Sequence, residues 1–195
     1  NGETTLPTTK SALPMIIDAQ GNALITGTVD LTDVVIKNHG GLTVSVGKIV
    51  TLSASQASNF NSNDSTTTVH GFASISVTAS GDLSGYNLKN VSLTLSGNAT
   101  LPDSTVSLPF SIACGDHTLT VASAVNISGI HSISHGTSSA LVVAKDVVIE
   151  LQSSQATAFG SISNLGTLKI SNSQTGSSGV STLNTLAAGS TGTIT

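Results

Sequence analysis

The chain has one cysteine, Cys114, no tryptophan, no arginine, and 8% charged residues. Each scarcity removes a class of protein. A single thiol can neither close an intrachain disulfide nor build a multi-cysteine zinc site. With lysine as the only cationic residue and a net charge of −4, nucleic acid is not an expected partner, because phosphate recognition relies on clustered Lys and Arg. No run approaches the roughly 18 apolar residues of a membrane helix, so membrane insertion is not expected. Aromatics are 3%, and Phe60, Phe72, Phe110 and Phe159 are the only phenylalanines. Rings normally supply much of the apolar area of a thick core, so a thin core of stacked Val, Ile, Leu and Ala rows is expected instead. The surface is then covered mainly by Ser, Thr, Asn and Gly. Disorder does not follow, since disordered chains combine low hydrophobicity with high net charge and this one has β-branched runs throughout.

What is present is self-similarity. Ile49-Val50-Thr51-Leu52-Ser53-Ala54-Ser55-Gln56-Ala57-Ser58-Asn59-Phe60 returns as Val148-Ile149-Glu150-Leu151-Gln152-Ser153-Ser154-Gln155-Ala156-Thr157-Ala158-Phe159. Aligned from Leu42 and Leu141 (141 − 42 = 99), the segments share Val44/Val143, Leu52/Leu151, Ser55/Ser154, Gln56/Gln155, Ala57/Ala156 and Phe60/Phe159. A second pattern, Leu31-x-x-Val34-x-Ile36-x-Asn38, recurs at Leu83-x-x-Tyr86-x-Leu88-x-Asn90 and at Leu165-x-x-Leu168-x-Ile170-x-Asn172. Its spacing turns the chain before a short strand, which the Asn would close by hydrogen-bonding nearby backbone. Repeats of this kind point to stacked structural units.

In chain order, residues 1–12 read as an extended leader or linker. Residues 13–195 read as one repetitive β domain, duplicated over about 22–101 and 115–195. Leu13–Ile17 is a candidate first strand and Gly21-Asn22 a turn, followed by strands at Ala23–Thr26 and Val34–Ile36. Leu42–Val46 alternates as a strand should, as do Ile49–Leu52, Ile75–Val77, Val91–Leu95, Thr105–Leu108, Thr118–Val121 and Leu168–Ile170. Ser53–Phe60 and Ser153–Phe159 read as short helical turns, each with a serine cap and Gln at the third helical position. Asn61–Thr68 is a polar excursion outside the packed coil. The expected fold class is all-β, a β-solenoid or β-helix-like stack of short strands with occasional helical turns; tandem β-sandwiches are the alternative.

Chemistry is sparse. His131-x-x-x-His135 is the one close histidine pair, within a strand-like stretch that would place both on one face, and no nearby acid completes a metal set. Eight Asp against two Glu suit oxygen-rich calcium ligation, with Asp30, Asp33 and Asp82 as candidate ligands and turn capping as the competing role. Calcium is the only cofactor considered. No Gly-x-Ser-x-Gly elbow occurs, and carboxylates on different coils do not by themselves make a hydrolytic pair. No catalytic residue is assigned. Cys114 reads as a small buried hydrophobe. Asn63, Asn90, Asn98 and Asn126 open N-glycosylation patterns.

At Leu52-x-x-x-Gln56-Ala57-x-x-Phe60 followed by Ile75-x-Val77, and again at Leu151-x-x-x-Gln155-Ala156-x-x-Phe159 followed by Leu168-x-Ile170, the chain resembles the β-strand repeats of large secreted bacterial proteins such as S-layer proteins and repetitive adhesins. The glycine-rich calcium repeats of many such proteins are missing. The resemblance implies a non-enzymatic, extracellular or cell-surface structural protein that self-assembles into a layer, filament or adhesin. Its partners would be copies of itself or neighbouring modules of a longer chain, and glycans. A carbohydrate- or ice-binding solenoid, with Thr43, Thr51, Thr94 and Thr120 on its face, is the first alternative. A β-helical polysaccharide-active enzyme or tail-spike fragment is the second.

Overall fold

A computed structural model of the chain describes residues 4–6, 8, 16–62, 68–69, 74–171 and 189–194. Two compact units emerge, Asn1–Thr78 with Tyr86–Leu93, and Ala79–Gly85 with Thr94–Thr195. Both are strand-rich, and every strand pairing with a defined register among the described residues is parallel. Sandwiches are built from antiparallel sheets; the chain here is mostly β with parallel sheets.

The first unit contains β1 (Thr4–Thr5), β2 (Ile16–Ile25), β3 (Val29–Asp30), β4 (Val35–Val44), β5 (Ile49–Leu52), helix α1 (Ala54–Ser62), β6 (Thr68–Val69), and the first parts of β7 (Ser74–Asp82) and β8 (Val91–Thr100). One ladder runs β1-β2-β4-β6 and another joins β3, β5 and β7. The partners lie 19 to 25 residues apart in the chain: Ile16 faces Val35, Val29 faces Val50 and Ile49 faces Ser74. Because neighbouring strands are parallel and in register, side chains of one orientation fall into rows. Val29, Val50 and Ile75 form one inward row, and Ala23 with Leu42 another, all at most 5% exposed.

The second unit adds a 3-10 turn (Thr105–Ser107), β9 (Ser111–Ala113), β10 (Thr118–Val121), β11 (Ser132–Ser134), β12 (Ala140–Val143), β13 (Val148–Gln152), helix α2 (Ser153–Ala156), β14 (Ser161–Asn164), β15 (Thr167–Ser171) and β16 (Thr193–Ile194). Its ladders are β8-β10-β12-β14, β9-β11 and β13-β15-β16. The inward row Ala99–Leu119–Leu141–Ile162 is buried throughout. Next to it Val121–Val143–Asn164 ends on a buried carboxamide, satisfied by Gly166 N donating to Oδ1 at 3.2 Å and by Nδ2 donating to Thr193 O at 3.1 Å. Cys114 is fully buried, as its sequence context suggests.

Strand, helix and closing strand occur as β5-α1-β7 and as β13-α2-β15, with Leu52 facing Val77 and Leu151 facing Ile170. The step differs, Ile49 to Ser74 in the first copy and Val148 to Thr167 in the second. Four of the six extra residues (25 against 19) fall between Phe60 and Thr68, where the polar excursion was expected, and two between Val69 and Ser74. Much of that excursion, at 63–67, lies outside the described residues, as do Phe72, Asn172 and positions 13–15 of the candidate first strand.

Several sequence expectations change. The turn at Gly21-Asn22 is absorbed into a single strand β2, whose pairing with β4 shifts register on either side of Gly21; an irregularity at glycine replaces a reversal. The strand expected at Thr105–Leu108 is a 3-10 turn in which Ser107 N donates to Ser104 O at 3.0 Å. The strand expected over 130–135 shrinks to Ser132–Ser134, because Ile130 N closes a turn onto Ile127 O at 3.0 Å. The Asn of the second pattern does not close strands: Asn38 is inside β4, and Asn90 takes φ 63° in the turn before β8.

That turn type recurs at the corners. Lys48 N donates to Ser45 O at 3.1 Å, Val91 N to Leu88 O at 3.1 Å and Val147 N to Ala144 O at 3.3 Å. In each, the third residue is left-handed, Gly47 at 68°, Asn90 at 63° and Asp146 at 62°. Gly166 meets a different demand. A Cβ there would collide with Val147 O and lie 2.6 Å from Ala144 O, because Thr167 N donates to Val147 O at 2.7 Å and draws the two coils together.

Two stability predictions follow from these corners. Gly166→Ala should lower the unfolding free energy by about 2 kcal/mol, the scale of an overpacked site, in urea denaturation; a neutral result contradicts the close approach. Asp146→Gly should raise it by up to about 1 kcal/mol, since a side chain at left-handed φ is unfavourable and the entropy lost by glycine offsets part of the gain.

Candidate functional site

The two glutamines shared by the repeats do structural work that spacing alone did not reveal. At α1, Ser53 N donates to Gln56 Oε1 at 2.8 Å and Gln56 N donates to Ser53 Oγ at 3.2 Å, a reciprocal cap. The same carboxamide reaches sideways, its Nε2 donating to Leu31 O at 2.8 Å and Val34 O at 2.7 Å. At α2, Gln155 repeats the arrangement: Oε1 accepts from Gln152 N at 2.8 Å, and Nε2 donates to Ile127 O at 3.0 Å and Ile130 O at 2.9 Å. The cap is therefore Gln152, not Ser153.

One carbonyl held by each glutamine, that of Leu31 or Ile127, lies in an Asx turn, and the other, that of Val34 or Ile130, lies at the end of the turn that follows. Asp30 Oδ1 accepts from Thr32 N at 3.0 Å and from its hydroxyl at 2.7 Å. Asn126 Oδ1 accepts from Ser128 N at 2.9 Å and from its hydroxyl at 2.5 Å. Asp82 Oδ1 accepts from Ser84 N at 3.0 Å, and Asn164 Oδ1 from Gly166 N. The Leu-x-x-Φ pattern thus extends one residue upstream, to Asx-Φ-Ser/Thr-x-Φ, and includes Asn126-Ile127-Ser128. Leu165 departs from it, being 42% exposed where Leu31 and Leu83 are buried.

Of the calcium candidates, Asp30 and Asp33 lie in one turn of the first unit and Asp82 in the second. Among the described residues no group of three His, Cys, Asp or Glu side chains is placed to share a metal ion. Asp82 is held below its ordinary value of 3.8, first by the backbone N–H of Ser84 and then by the Ser84 hydroxyl. Burial pushes the Cys114 thiol up to about 11, which keeps it protonated and a poor nucleophile.

His131 and His135 have different partners. His135 Nδ1, in its protonated tautomer, donates to Gly136 O at 2.9 Å. His131 instead stacks on Phe110, with ring centroids 4.8 Å apart and planes 11° apart. It borders an open groove of about 210 Å³ whose other walls come from Ile130, Ser132, Ile133, Gln152 at the end of β13, and Ser154 and Gln155 of α2. A second groove of the same size lies along β13, between Val125, Val148, Glu150 and Lys169. There Glu150 and Lys169 are cross-strand neighbours, and Asn126 Nδ2 donates to Glu150 Oε2 at 3.1 Å.

Of the Thr candidates, Thr94 is exposed and Thr43, Thr51 and Thr120 half-buried. Thr51 sits in the outward row Asp30–Thr51–Ser76, and Thr120 in Thr100–Thr120–Val142–Ser163. Among the glycosylation patterns, Asn90 and Asn98 are exposed, Asn126 is tied into its turn, and Asn63 lies outside the described residues. Comparison with protein-family models, with characterised proteins and with solved structures found no match to this chain.

Removing the Gln155 carboxamide strands two carbonyls and the Gln152 N–H, each a group that costs about 1–3 kcal/mol when buried without a partner. Gln155→Leu should therefore lose about 2–4 kcal/mol in urea denaturation, although leucine is a good core residue; retention of full stability contradicts the clamp. A depressed carboxylate favours the folded state above its unfolded pKa, and that contribution is lost as pH falls through the folded value. An NMR titration should accordingly place the midpoint for Asp82 below 3.8, and a midpoint at or above that value contradicts the Ser84 contacts.

Proposed function

We propose that this chain is a non-enzymatic structural module that winds as a β-solenoid and self-assembles, as part of an extracellular or cell-surface layer, filament or adhesin. The observation that carries the reading is the in-register parallel ladder: strands 19 to 22 residues apart in the chain pair side by side, as at Leu119–Leu141–Ile162 and Ile149–Leu168. A unit of this kind buries its apolar row against the next one, which can come from the same chain or from a second copy. The duplicated unit supports the reading, since any number of such units stacks by the same contacts, and so does the Ser/Thr-rich, weakly charged surface.

The geometry at β16 shows where to intervene. Thr193 N donates to Gly166 O at 2.8 Å, so the N–H of Ile194, one residue on, points away from β15. Sedimentation of the purified chain over a wide concentration range should show reversible association, and negative-stain microscopy should show stacked particles. Ile194→Pro, which removes one outward donor while leaving the Thr193 bond, should weaken that association. A chain that stays strictly monomeric at high concentration contradicts the assembly reading.

A further inference from the structure

We draw no further inference here: the strongest candidate, the exposed apolar surface patch formed by Ile16 and Val35, register partners on the neighbouring strands β2 and β4 of the first unit, is an unpartnered face, and nothing in the structure shows what covers it.

Discussion

The layout of the described residues follows from backbone hydrogen bonds between parallel strands roughly 20 residues apart in sequence. A parallel pair cannot be closed by a tight hairpin, so the chain must travel some twenty residues before it returns beside itself. In-register return places Leu119 beside Leu141 and Leu141 beside Ile162, and the core becomes rows of aliphatic side chains. Such rows leave little depth for rings, which accounts for an aromatic content of 3%. They also leave the outward positions to Thr, Ser and Asn, which explains a surface nearly free of charge.

The corners are what the ladder cannot supply, and the sequence solves them with a few devices used repeatedly. A left-handed third residue turns the chain at Gly47, Asn90 and Asp146. Asx turns organise Asp30, Asp82, Asn126 and Asn164, so these polar side chains are spent on the chain's own backbone. Gln56 and Gln155 then tie these turns to the helices, capping a helix with one end of the carboxamide and holding with the other one carbonyl inside an Asx turn and one just after it. A carboxamide is the one side-chain group that can accept and donate in this way without charge.

Much of this was legible. The shared Leu, Gln and Phe of Ile49–Phe60 and Val148–Phe159 announced a repeated strand, helix and strand, and alternation located β5 and β10. What escaped depends on register, which a single sequence does not print. Gly21-Asn22 has turn chemistry, yet the neighbouring strand β4 carries the backbone through. Thr105–Leu108 alternates as a strand does, but Ser107 N finds Ser104 O and the segment closes into a 3-10 turn. The Phe110–His131 stack joins residues 21 apart (131 − 110), the same step as Ser111 to Ser132; only a known step makes that spacing meaningful. The His131/His135 pair drew attention because it was close in sequence, whereas the ladder rewards closeness one circuit away.

The most direct test of this account is a set of backbone NOEs from the isotope-labelled chain. Parallel return predicts inter-strand contacts linking Leu119 with Leu141, Leu141 with Ile162, and Ile149 with Leu168, with amide protons of these residues among the slowest to exchange. Strong Hα–Hα contacts between strands consecutive in sequence, the signature of antiparallel hairpins, would contradict it.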